Sequence, residues 1–152
     1  MGRFVSGILI LLVLGGGYVF RDYLASNVGE LRVGDCFDEP AIQKAVGHAA
    51  EVNDIQHRPC AEVHDGEVYA VLSHPGQGGA TYPSDDTWDE FIGERCEAEF
   101  AGYLGRDYTV ATELEIAWYF PTASGWSEGD REITCYVYSV DGRKLDKSLH
   151  QQ

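Results

Sequence analysis

The sequence predicts an α+β fold: a small, mainly antiparallel sheet with one long helix packed on a face, stapled by two disulfides and preceded by an N-terminal transmembrane helix. Three observations carry this. An uncharged apolar run, Phe4–Phe20, opens a chain that is otherwise polar and acidic. One long stretch, Trp88–Leu104, repeats its apolar residues at helical spacing, whereas other patterned stretches alternate as strands do. All four cysteines, Cys36, Cys60, Cys96 and Cys135, lie beyond the apolar run.

As a helix, Phe4–Phe20 reaches about 25 Å at about 1.5 Å per residue. That is slightly short of a hydrocarbon core of about 30 Å, and the stems of Arg3 and Arg21 extend it by snorkelling. Tyr18 and Phe20 stand where interfacial aromatics are favoured. The competing reading is a cleaved export signal, with Arg3 as its charged start and Ile8–Leu14 as its apolar centre. A cut after Ala25 would place the oversized Tyr23 at −3, and cuts at Gly15 or Gly17 would leave a very short apolar run. A buried core helix is the third reading. Arg3 and the α-amino group precede the run, while Arg21 is cancelled by Asp22. The charge bias therefore puts the N-terminus in the cytoplasm and the rest outside. The expected divisions are a cytoplasmic N-terminus at 1–3, an anchor at 4–20, a juxtamembrane linker at 21–30 and an extracytoplasmic domain at 31–149.

Within that domain, Leu31–Phe37 alternates and reads as a first strand ending before Pro40. Ala41–Ala50 reads as irregular. Pro59 argues against a central strand through Val52–Arg58. His64-Asp-Gly66 is a turn signal that feeds a strand over Glu67–Leu72. His74–Tyr82, with Pro75 and three glycines, is a loop. The helix starts at Ser84, an N-cap residue, with Asp85, Asp86, Asp89 and Glu90 where the macrodipole favours negative charge. Trp88, Ile92, Cys96, Phe100 and Leu104 form its apolar stripe, and Gly105 ends it. Glu113–Phe120 alternates, with Leu114, Ile116, Trp118 and Phe120 on one face. Pro121–Gly129 reads as a loop, Arg131–Val140 as a strand with Ile133, Cys135 and Val137 sharing a face, Asp141-Gly142 as a turn, and Arg143–Gln152 as a basic, frayed tail.

Outside the cytoplasm an even cysteine count reads as two disulfides, and no C-x-x-C pair points to zinc or thioredoxin-like chemistry. Four cysteines allow three connectivities. Cys96 on the helix stripe and Cys135 on the inner strand face both point inward, so the preferred pairing is Cys96–Cys135, leaving Cys36–Cys60.

The chain carries 11 Lys+Arg and 25 Asp+Glu. With Arg3 set aside, the part beyond residue 20 has 10 − 25 = −15 charges. Such a field repels nucleic acid and anionic lipid. His57, His64 and Asp65, with Glu62 and Glu67 nearby, are the clustered metal-type side chains, but their spacing matches no zinc motif. No metal or cofactor is therefore assigned. Asp85/Asp86 are accounted for by the helix dipole, no G-x-S-x-G elbow is present, and paired cysteines leave no thiol nucleophile. The expectation is a protein without catalytic activity. Its rival is a secreted metal-dependent hydrolase using His57, His64 and Asp65. Trp126, Asp130 and Arg131 form a candidate binding loop, since Trp and Arg dominate interface hot spots. The alternative is that Trp126 anchors that loop in the core.

Val33-Gly-Asp-Cys-Phe37, Cys60-Ala-Glu-Val-His64-Asp-Gly-Glu67-Val-Tyr, the Trp88…Cys96 helix, Tyr119-Phe-Pro121-Thr and Trp126-Ser-Glu-Gly-Asp-Arg131…Cys135 together resemble the bacterial septum formation domain family. The resemblance runs over about Leu31–Leu149. It implies an exported or membrane-anchored domain with paired cysteines, in a cell-envelope role linked to septum assembly, without a known catalytic activity or cofactor. The expected partner is an envelope protein or cell-wall component.

Overall fold

The computed structural model describes residues 25–39 and 51–151. The expected anchor at 4–20 and the irregular stretch at 41–50 lie outside the described residues. Among the described residues no helix is long and apolar enough to cross a membrane.

Six antiparallel strands form one sheet in the order β1-β3-β2-β4-β6-β5: β1 Ala25–Asn27, β2 Cys36–Asp38, β3 Asp54–Arg58, β4 Gly66–Ser73, β5 Leu114–Tyr119 and β6 Glu132–Ser139. Helix α1, Asp85–Leu104, crosses one face, and a short helix α2 spans Ala123–Ser127. The long helix forms where its stripe predicts. Ser84 accepts the Thr87 N–H at its N-terminus, and Gly105 closes its C-terminus at φ 70°. Trp88, Ile92, Cys96, Phe100, Tyr103 and Leu104 are all buried against the sheet.

The opposite sheet face carries a second, smaller core of Leu31, Phe37, Ile55, Val68, Ala117 and Tyr136. Strand β4 serves both faces because its register shifts between Val68 and Ala70. The extra residue of a bulge reverses the side-chain parity. Val68 and Val71 therefore join the second core, while Tyr69, Ala70 and Leu72 join the first.

Several expectations are corrected. Part of the presumed linker is structured, as β1 and a 3₁₀ turn at Val28–Glu30. The first strand of the domain is only Cys36–Asp38, because the chain turns at Val33-Gly34, where Gly34 has φ 90°. Asp54–Arg58 is an interior strand between β1 and β2; Pro59 lies just past its end and stops it rather than excluding it. Residues 123–127 are helical because Thr122 caps them by accepting the Gly125 N–H. Phe120 is 39% exposed, since β5 ends one residue earlier and the chain swings away. The tail is not frayed. Leu145 pairs with His64 through two backbone hydrogen bonds, and Gln151 N–H reaches the Tyr103 carbonyl.

Candidate functional site

Four residues at the entry to β4, His64, Asp65, Gly66 and Glu67, each have a separate physical reason for their identity. Gly66 passes beneath the Phe37 ring, where an added Cβ would come within 2.8 Å of Cζ. Asp65 accepts the Glu39 N–H and faces Lys144 at 3.5 Å. His64 and Glu67 are completely buried.

Glu67 lies on β4, where its side chain meets the helix and the tail. Tyr103 Oη and Ser148 Oγ donate to Oε1 at 2.6 and 2.7 Å, and Leu149 N–H donates to Oε2 at 2.8 Å. Burial, reinforced by the hydrogen bond to Glu67, pushes the Tyr103 hydroxyl far up, so it is fixed as a donor. His64 enters the same region from the loop before β4. Its Nδ1 lies 2.7 Å from the Glu62 carbonyl, an acceptor only, so Nδ1 carries the proton. Nε2 is buried and has no partner. A His64 ring nitrogen, Cys36 Sγ and a Glu67 carboxylate oxygen lie within 4.8 Å of one another.

The C-terminal segment covers this buried cluster. Leu145 is buried beside His64, and Ser148 and Leu149 are bonded to Glu67. Lys144 pins the segment by pairing with Asp38 and Asp65. Burial alone would raise the Asp38 carboxyl, but Lys144 and Arg58 outweigh it and hold the group below the ordinary carboxylate range.

The four cysteines pair as Cys36–Cys60 and Cys96–Cys135. The second bridge is wholly interior, whereas Cys60 is half-buried at the end of β3. The trio His57, His64 and Asp65 is not drawn together as Cys36, His64 and Glu67 are. His57 sits on β3 with Nδ1 3.9 Å from Asp35, and Asp65 is engaged with Glu39 and Lys144.

Trp126, Asp130 and Arg131 are adjacent, and two of them are committed inside the fold. Trp126 is 4% exposed and its Nε1 donates to the Ala80 carbonyl at 2.8 Å. Arg131 stacks on that ring at 3.5 Å and donates to the carbonyls of Gly76, Gln77, Trp126 and Asp130. Asp130 is exposed and caps the Glu132 N–H. The loop is thus latched to the 76–80 segment. His74 packs edge-on to Trp88 and Trp126, and burial followed by Arg131 lowers its pKa.

The septum formation family matches residues 33–151, or 151 − 33 + 1 = 119 of the 152 residues. The chain belongs to the septum formation family. No curated protein and no solved structure matches it. The matched span of this septum formation domain takes in both disulfides, the buried Cys36, His64 and Glu67 cluster and the tail that covers it.

A separate surface feature of the septum formation domain is a groove of about 460 Å³ between the start of α1 and strand β5. Trp88, Trp118 and Phe120 supply aromatic walls, and Asp85 and Asp89 supply acidic groups. Strand β5 ends the sheet, so among the described residues its outer edge is unpaired.

Sequence reasoning missed Glu67 and Cys36 as members of one pocket, and it missed the tail as its cover. The spacing Cys60-x₃-His64-x₂-Glu67 was visible, but the signal that Glu67 is buried was hidden by the β4 bulge. Charged residues on a strand ordinarily mark the solvent face.

Proposed function

We propose that this is a membrane-anchored, extracytoplasmic, non-catalytic binding or scaffolding domain of the bacterial cell envelope, acting in septum formation. The observation that carries the reading is the family match over residues 33–151 on a domain closed by two disulfides. Disulfides persist in oxidising compartments, and Phe4–Phe20 supplies the anchor. The groove beside β5 supports a binding role. Its occupant is an extended cationic segment of an envelope protein, which pairs with the edge of β5 left open among the described residues and places a basic side chain between Trp118 and Asp89. The domain's surplus of negative charge favours such a partner.

Two experiments test this. A reporter that is active only outside the cytoplasm, fused after Gln152, is expected to be active, and an inactive reporter would contradict the placement. Chain depletion is expected to give cells with delayed or missing septa, whereas normal division would argue against the septal role.

A further inference from the structure

We infer that Cys36, His64 and Glu67 form a binding site for one zinc-type divalent cation, which the Cys36–Cys60 disulfide keeps closed and its reduction opens. This stands apart from the envelope reading and rests on the pocket alone.

Three features of this cluster point to a cation site. The first is His64 Nε2. With Nδ1–H committed to the Glu62 carbonyl, the neutral ring presents a buried lone pair that nothing in the protein uses. A buried polar atom without a partner costs free energy, so its retention calls for an explanation. The second is Glu67. Its three partners, Tyr103, Ser148 and Leu149, are all neutral donors, so a fully buried acidic group lacks a countercharge among them. A carboxylate offers about four acceptor positions. Three are filled here, which leaves one on Oε2. The third is convergence: a His64 ring nitrogen, a Glu67 carboxylate oxygen and Cys36 Sγ all lie within 4.8 Å of one another. Zinc bonds of about 2.0–2.3 Å put tetrahedral ligand atoms roughly 3.3–3.8 Å apart. Side-chain movements of about 1 Å therefore close the set.

In the oxidised domain Cys36 Sγ is spent on Cys60, and a disulfide sulfur is a poor ligand because the thiolate is the form that binds metal. The two bridges differ in access. Cys96 and Cys135 are both fully buried, while Cys60 is half-buried and offers the sulfur that a reductant can reach. The reductant is a dithiol. Its thiolate attacks Cys60 Sγ, the S–S bond breaks, and the electron pair leaves with Cys36. The second thiol then displaces Cys60 from the mixed disulfide, so two electrons and two protons pass to the domain and the dithiol ends as a disulfide. The cation takes Cys36 as thiolate, and the thiol proton goes to solvent. A set of sulfur, imidazole and one carboxylate selects zinc over calcium or magnesium, which need several hard oxygens.

The test uses two full-length variants in detergent, Cys60→Ser and Cys36→Ser. Both lack the same disulfide and keep Cys96–Cys135, but only Cys60→Ser retains the Cys36 thiol beside His64. Cobalt is titrated as a spectroscopic stand-in for zinc, followed by zinc competition. Cys60→Ser is expected to bind one cobalt with a thiolate-to-metal charge-transfer band, which zinc abolishes. Cys36→Ser is expected to show no such band. Adding Glu67→Gln or His64→Asn to Cys60→Ser is expected to weaken binding by about tenfold or more. Equal binding by both single variants, or binding indifferent to His64 and Glu67, would overturn the site. If both variants lose the fold, wild type reduced by a phosphine replaces them, with alkylation and mass confirming which thiols are free. Zinc-dependent recovery of structure then supports the site, and its failure overturns it.

Discussion

At the scale of single residues, Glu67 is the group with most at stake. It has no exposed surface, and three donors from the helix and the tail converge on it. Glu67→Gln replaces an acceptor with an amide donor, so one of those donors loses its partner. The expected cost is about 1–3 kcal/mol for an unsatisfied buried group, read as a lower denaturant midpoint with an unchanged slope. His74 makes a pH-dependent contribution. Its pKa is lowered from the ordinary 6.5, first by burial and then by Arg131. Just below pH 6.5 the unfolded chain takes up a proton that the folded chain refuses. This contribution is present above pH 6.5 and is lost as pH falls through the lowered value. Denaturant midpoints on either side of pH 6.5 are expected to show a loss of stability on acidification that is smaller in His74→Gln. A loss equal in the two proteins would show that other groups carry it. That a strand follows His64-Asp-Gly66 was legible in the sequence, but the depth of His64 was not. Burial of a histidine depends on which distant segment covers it, here Leu145.

At the scale of elements, α1 was the most legible, because cap, stripe and stop all agree. Gly105 holds φ 70°, a conformation that costs a residue with a Cβ about 1–2 kcal/mol. Gly105→Ala is expected to lower stability by about that amount, and the Gln151 side chain must also move aside. Helix α2 was not legible. Five residues are too few to show a period, and its position is fixed by contacts remote in sequence: Trp126 bonded to Ala80, and Arg131 to Gly76. Trp126→Ala should cost about 3–5 kcal/mol as a large core deletion, with calorimetry or denaturant melts as the readout. A cost under about 1 kcal/mol, within the range of ordinary surface substitutions, would show that the latch is not a core element. The faces of β4 were not legible, because the bulge at Val68/Ala70 breaks simple alternation and places Tyr69 on the same side as Ala70 and Leu72.

At the scale of the whole molecule, the two bridges do different jobs, one between layers and one within the sheet. Cys96–Cys135 fastens the long helix to the sheet, and Cys36–Cys60 fastens β2 to the end of β3. Both pairings were legible because Cys96 and Cys135 each fall on an inward face. Each loop closed is worth roughly 3–4 kcal/mol in the chain-entropy model, so reducing both should lower the melting temperature sharply. The tail was misread because its basic composition resembles a solvated end, whereas Lys144 finds Asp38 and Asp65 on the domain. The central claim is that a disulfide-stapled septum formation domain is held outside the cytoplasm by an uncleaved anchor. The most direct test is the intact mass of the native protein from the membrane fraction, with and without thiol alkylation under denaturing conditions. The account predicts a full-length chain, allowing for loss of the initiator Met, that is four protons light and takes up no alkylating label. A truncated chain would contradict the anchor, and four labelled cysteines would contradict the compartment.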